Sequence, residues 1–254
     1  KLDGAFALAF LFEGEEDLIV AARKGSPLAI GHGDGEMFVG SDAIALAPLT
    51  DEITYLEEGD SAVLTRTSLE IRNAAGDLAN RAKKKIAIDS AQVDKGGYKH
   101  FMAKEIAEQP TVIGEAITHY LTQDGTDIAL PAEIDFTKID RLTMVACGTA
   151  FYACMTAKYW FEQLAQLPVE IDVASEFRYR DPVITKGTAA LFVSQSGETA
   201  DTLAALRYCE GKAEQILSVV NVATSSIARE SDVALPILAG TEIGVASTKA
   251  FTCQ

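Results

Sequence analysis

The chain has 254 residues, 48% of them hydrophobic and 23% charged, a globular composition with room for one large core or two smaller ones. Its formal net charge is −15 and its one cationic cluster, RAKKK from Arg81 to Lys85, is short. These features argue against nucleic acid or an anionic membrane as the main partner, because both demand an extended basic face. An anionic substrate stays compatible if local dipoles, not a broad positive field, capture it.

The longest apolar runs, Ala5 to Phe12 and Leu142 to Cys147, fall well short of the roughly 20 residues that span a bilayer, so a soluble protein is expected. The cysteines, Cys147, Cys154, Cys209 and Cys253, show neither CxxC spacing nor the density of a secreted scaffold; reduced thiols in a cytoplasmic protein are the economical reading. His32, His100 and His119 fall in no ligand pattern, and no metal site is suggested. The chain begins at Lys1 and ends in TKAFTCQ, and both ends read as cut from something longer.

From Lys1 to Asn73 the pattern is that of strands. GAFALAFLF, DLIVAARKG, MFVGSD, ITYLEEGDSAVLT and LEIRN are short and rich in β-branched or aromatic residues, and clusters such as GSPLAIGHGDG interrupt them. An antiparallel sheet domain over residues 1–73 is expected, with one short helix from Ser41 to Leu46. Residues 74–97 turn polar and charged, ending in DKGGYKH, and read as a linker. Tyr98 to Leu121 places apolar residues at helical spacing, with Pro110 expected to open a second helix at its first turn.

From Arg141 the compact apolar runs LTMVAC, VEIDVAS, ALFVSQS, QILSVVN and VALPIL alternate with helical segments, notably Thr149 to Gln166 and Thr199 to Glu210. Near-continuous apolar strands separated by helices indicate a parallel sheet covered on both faces. The expected fold is therefore α/β: residues 98–254, with their leading helices, form a doubly wound parallel sheet, preceded by the antiparallel β-rich domain.

Ligands of such sheets bind outside the carboxyl ends of the strands. Three loops lie there: CGTA at Cys147 to Ala150, SQSGET at Ser194 to Thr199, and GVASTK at Gly244 to Lys249. A helix start leaves backbone N–H groups without partners at the positive end of the macrodipole, so it favours an anion. Ser194, Ser196 and Thr199 add hydroxyls, Gln195 adds an amide, and Gly197 lets the backbone approach closely. The set makes a phosphate cradle without Lys or Arg. Glu198 reads as a capping residue, since its charge would repel a phosphate. Ser194 and Thr199 are equally at home as ordinary turn and N-cap residues; three hydroxyl-rich loops in one sheet are what favour a site.

CGTA, SQSGETADT and EIGVASTKAFT, in this order and at these spacings, closely resemble the first sugar isomerase (SIS) domain of the glutamine–fructose-6-phosphate aminotransferase family. KGGYKHFMAKEIAEQP resembles the segment joining that family's two halves. AARKGSPLAIGHGDGEMFVGSDAIAL with YLEEGD resembles the later part of its glutaminase domain, a class II amidotransferase of N-terminal-nucleophile fold.

The resemblance implies that Ser194, Gln195, Ser196 and Thr199 hold the phosphate of fructose 6-phosphate or glucosamine 6-phosphate. It implies that Cys147, Gly148 and Thr149 line the sugar, with Val245 and Ser247 contributing from the third loop. It also implies a homodimer and no metal or organic cofactor. The family usually reads CGTS, and Ala150 lacks the hydroxyl of that pattern.

The family's glutaminase nucleophile is an N-terminal cysteine, and no cysteine precedes Cys147 here. Its ring-opening and isomerising Lys, Glu and His belong to a second SIS domain and a C-terminal tail. The expectation is therefore that no catalytic residue falls in this chain, which binds sugar phosphate and completes neither half-reaction, glutamine acting through a part of the glutaminase domain outside it.

Lys249 is read as capping or packing in its loop, not as a Schiff-base lysine, and Cys147 as a pocket-lining thiol. His100 is expected to pack or cap at the linker. Trp160 and Phe161, with Phe151, Met155 and Leu164, read as core or subunit interface. Glu57, Glu58 and Asp60 read as a solvated strand end. Two alternatives remain: a non-catalytic SIS sugar-phosphate sensor, which would usually carry a basic helix-turn-helix upstream, and a deglycase-type enzyme, which should lack the glutaminase-like segment.

Overall fold

The computed structural model describes residues 2, 4–41, 43–85 and 95–254. The chain divides into two compact units, Lys1–Gly96 and Gly97–Gln254.

The first unit is built from strands β1 (Phe6–Phe12), β2 (Glu15–Lys24), β3 (Ala29–His32), β4 (Met37–Gly40), β5 (Glu52–Tyr55), β6 (Ser61–Leu64), β7 (Leu69–Arg72) and β8 (Lys83–Lys85), with the short helix α1 (Ala43–Leu46). They form two antiparallel sheets, in the orders β1-β2-β6-β7 and β4-β3-β5-β8. Ala21, Leu28, Ile30, Leu56, Leu64 and Ile71 pack into its main core.

Three sequence expectations change here. β3 lies inside GSPLAIGHGDG, which reads as a break because glycine and histidine interrupt its apolar pattern. All four of its residues are nevertheless buried, because β4 and β5 pair on either side of it. Strand β8 lies within the stretch expected as linker: it pairs with β5, and Lys83 and Lys85 stand 3.7 and 3.1 Å from Glu52 and Asp51. The rest of that stretch, residues 86–94, lies outside the described residues, as does Asp42 of the expected short helix. Asp60 is not solvated but buried. It accepts the Glu57 N–H at 2.7 Å and both arms of the Arg81 guanidinium at 2.8 and 2.9 Å. Burial alone would raise its carboxyl pKa, and the Arg81 and Glu57 donors outweigh that and hold it below the ordinary value.

The second unit begins with α2 (Phe101–His119), a single helix where two were expected. Pro110 removes one backbone donor. The helix nevertheless runs through the proline, and the acceptor it strands, the Ile106 carbonyl, takes a hydrogen bond from Gln109 Nε2 at 3.0 Å. His100 occupies the N-cap without a side-chain cap bond.

There follow β9 (Arg141–Ala146), α3 (Gly148–Leu164), β10 (Val169–Val173), α4 (Ala174–Arg180), β11 (Thr188–Ser194), α5 (Ala200–Cys209), β12 (Gln215–Val220), α6 (Ser226–Glu230), β13 (Val233–Pro236) and α7 (Lys249–Cys253). The strands make one parallel sheet in the order β10-β9-β11-β12-β13, the doubly wound α/β fold expected from the alternation of apolar runs and helices. Separate clusters cover its two faces. Met144, Ala146, Cys154, Leu191 and Val193 belong to one; Val145, Phe177, Phe192, Leu206 and Ile227 belong to the other. Trp160 and Leu164 do not join the core and are 60% and 84% exposed, whereas Phe151 packs against the first cluster.

Candidate functional site

In this strand order the chain leaves β9 toward one edge of the sheet and β11 toward the other. Their carboxyl ends therefore flank the crevice where such sheets bind ligands. Val193 is in register with Ala146, so the next residues, Ser194 and Cys147, emerge side by side. A cavity of about 200 Å³ opens at this place, lined by Cys147, Thr149, Ala150, Val193, Ser194, Gln195, Ser196, Thr199 and Gln254. It receives the N-termini of α3 and α5, whose first N–H groups have no partners within their helices.

Each loop is held in shape by its own residues. Gly148 takes a φ of +57°, which favours glycine, and a side chain there would meet nothing within 4 Å. Its need is conformational, and it leaves the approach to the α3 start open. In the second loop the buried Ser194 Oγ accepts the Gly197 N–H at 3.0 Å and lies 3.0 Å from Thr199 Oγ1, closing the turn on itself. Ser196 Oγ accepts the Glu198 N–H at 3.2 Å, which leaves its own proton available to a ligand.

Gly197 has a φ of +64°, and a Cβ on it would stand 1.9 Å from Ser225 Oγ. Ser225 is the N-cap of α6, and its Oγ accepts the Ala228 N–H. Glu198 caps the same helix from a distance, accepting the Ser226 N–H at 2.8 Å, so its charge is spent on a helix start other than its own. The Gln195 carbonyl accepts the Asn221 N–H at 3.2 Å and the Gly197 carbonyl accepts the Ile227 N–H at 3.0 Å. The cradle is thus braced from the side of β12 and α6.

The third loop is fixed differently. Glu105 of α2, 2% exposed, accepts the N–H groups of Ile243 and Gly244 at 2.6 and 2.9 Å. Lys249, 3% exposed, donates to Glu108 at 2.7 Å, which gives the lysine a packed structural place in this unit. Glu242 accepts from Thr248 N at 2.7 Å and from Ser247 Oγ at 3.3 Å.

The expected residues Ser194, Gln195, Ser196, Thr199, Cys147 and Thr149 therefore meet in one cavity, with Gly148 between two of its lining residues. Val245 and Ser247 are not among those residues. Val245 is fully exposed and the Ser247 hydroxyl turns to Glu242. Gln254 lines the cavity without having been signalled, since a lone glutamine after a short helix carries no pattern. Glu105 left no signal either, since Glu108 and Gln109 follow it on the same side of the helix.

Burial pushes the Cys154 and Cys209 thiols up to about 12, so neither is a thiolate near neutral pH. Among the described residues no group of His, Cys, Asp and Glu is arranged to hold a metal ion, and no helix is long and apolar enough to cross a membrane.

Fold and cavity together define a parallel α/β domain with a ligand crevice at the ends of β9 and β11, and residues 135–254 match the SIS domain family. Over its whole length the chain is a relative of glutamine–fructose-6-phosphate aminotransferase. It is 60% identical to the isomerizing enzyme of that name from Bradyrhizobium diazoefficiens and 59% identical to that from Brucella abortus biovar 1, in each case across 100% of this chain and 42% of the relative. The chain thus spans less than half the length of these relatives. The solved C-terminal domain of glucosamine-fructose-6-phosphate aminotransferase from Francisella tularensis superposes with a TM-score of 0.60 at 47% identity, covering 63% of this chain and 45% of that one.

Proposed function

We propose that this chain supplies the sugar-phosphate-binding part of a glutamine–fructose-6-phosphate aminotransferase, the cavity at the ends of β9 and β11 holding fructose 6-phosphate or glucosamine 6-phosphate. The observation that carries this reading is the junction of CGTA and SQSGET in one cavity, with two helix N-termini converging on it. The α5 start, with Ser196 and Gln195, takes the phosphate through N–H and hydroxyl donors, which need no lysine or arginine in a chain of net charge −15. Cys147 and Thr149 line the sugar end. Gly148 supports the α3 start there, and Val245 and Ser247 join from the third loop only if that loop moves on binding.

In the whole enzyme, ammonia released from glutamine is transferred to fructose 6-phosphate, which is then isomerised to glucosamine 6-phosphate. This chain binds the sugar phosphate and contributes no catalytic residue to either half-reaction. We read it as a homodimer, as the family resemblance implies, and as cytoplasmic, in keeping with four cysteines that are all free thiols. The unit upstream of the SIS domain is strand-rich and matches the same relatives, which favours the aminotransferase over a stand-alone sugar-phosphate sensor.

Calorimetric titration with glucosamine 6-phosphate, glucosamine and inorganic phosphate tests the reading. Binding of the phosphorylated sugar with little or none of unphosphorylated glucosamine is expected; no heat with glucosamine 6-phosphate would exclude the cavity as its site.

A further inference from the structure

We infer that Gln254 is a ligand contact, its side-chain amide hydrogen-bonding a sugar hydroxyl; this rests on the sugar-phosphate reading of the cavity. Gln254 lines the cavity, and its side-chain carbonyl oxygen is buried without a hydrogen-bond partner among the described residues. A buried acceptor left unmatched is costly, so the position is suited to a group that arrives with a donor. A sugar phosphate's monoester group, with a second pKa of about 6, is mostly a dianion at neutral pH and brings acceptors, a poor match for a carbonyl oxygen. A sugar hydroxyl donates to that oxygen and accepts from the amide N–H of the same side chain. Gln254 therefore belongs to the sugar end of the cavity, apart from Ser196 and the α5 start.

The residue is placed there firmly. Its backbone N–H bonds the Ala250 carbonyl at 3.1 Å, continuing the turn of α7. Ala250 and Cys253 of that helix pack with Ile237 and Ala239, and α7 lies against both α2 and α3. The ion pair of Lys249 with Glu108 and the bond from Ala250 N–H to Glu242 at 3.3 Å lock its first turn. A glutamine on such a support has already lost part of its rotamer freedom, which lowers the cost of ordering it on a ligand. Ala150, on the same cavity, offers only a methyl group.

The test is titration of the 254-residue chain and its Gln254→Met variant with glucosamine 6-phosphate and with inorganic phosphate, beside thermal melting of both proteins. Methionine keeps the length and removes both polar atoms. The expected result is a roughly fivefold loss for the sugar phosphate, the worth of one neutral hydrogen bond, with phosphate affinity and melting temperature unchanged. Gln254→Ala gives the same selectivity without relying on how methionine packs. Equal affinity of the variants and the parent for glucosamine 6-phosphate overturns the inference while leaving the cavity's assignment intact, and so does an equal loss for sugar phosphate and phosphate. Absence of glucosamine 6-phosphate binding by the parent chain overturns both readings at once.

Discussion

Strands β1 and β11 are each seven residues long and rich in apolar side chains, yet they stand in opposite environments. All seven residues of β11 are buried, whereas β1 is an edge strand in which Phe10, Leu11 and Phe12 remain exposed. A strand sealed on both faces and both edges can offer chemistry only at its end, which is where Ser194 to Thr199 lie. The two units also bury acids to different ends. In the first, Asp60 is enclosed with Arg81 and holds sheet elements together. In the second, Glu105 is enclosed with the backbone of a loop and holds that loop against a helix. Polar burial serves the fold in the one and the surroundings of a site in the other.

The largest effect that would break this contrast is at Gly197. Gly197→Ala forces a left-handed conformation on an L side chain and drives a Cβ into Ser225, for a combined loss of about 4 kcal/mol in unfolding free energy and loss of hexose 6-phosphate binding. Denaturant melts of wild type and variant, with calorimetry, measure both. A variant of normal stability and affinity would mean that the cradle is not built on that glycine.

Asp60→Ala comes next. It leaves the Glu57 N–H and the Arg81 guanidinium without their shared acceptor, at about 3 kcal/mol, and it should leave sugar-phosphate binding untouched if the acid serves only the fold of its own unit. Because the folded pKa of Asp60 lies below the ordinary 3.8, its contribution is fully present above that value and is lost as pH falls through the folded one. Wild type and Asp60→Asn should thus differ in denaturant midpoint at about pH 7, and by less at a pH well below 3.8. A gap of the same size at both pH values would remove Asp60 from the acid response.

Ser196→Ala sharpens the other side of the contrast. A hydroxyl bonded to a charged phosphate is worth about 1.5–3 kcal/mol, so affinity for both glucosamine 6-phosphate and inorganic phosphate should fall by roughly tenfold or more, with stability unchanged. This pattern separates Ser196 from Gln254, where only the sugar phosphate is affected. The smallest effect is expected at Lys85, whose pairing with Asp51 is largely solvent-exposed; Lys85→Ala should leave the melting temperature within measurement error.

The second unit was almost fully legible because its strands are buried on both faces. Apolar runs such as LFV and MVA announce such strands without help from their neighbours, and hydroxyls directly after them mark the loops. The first unit was less so. β3 was lost among glycines because its burial comes from β4 and β5, and β8 was hidden in a lysine run that is held by acids thirty residues earlier. Pro110 differs in the same way: a local rule ends the helix there, whereas the helix runs through it and Gln109 bonds the stranded carbonyl.

Local order along the chain thus determined the parallel α/β unit, the strand-rich character of the part before it, and the hydroxyl loops at Cys147 and Ser194, because periodicity and turn chemistry act between near neighbours. Tertiary structure alone decided that Gln254 enters the cavity, that Val245 and Ser247 stand off from it, and that Asp60 and Glu105 are buried. Each of these depends on strand order or on a partner far away in sequence, and no local pattern encodes which distant backbone will supply a donor or close a wall.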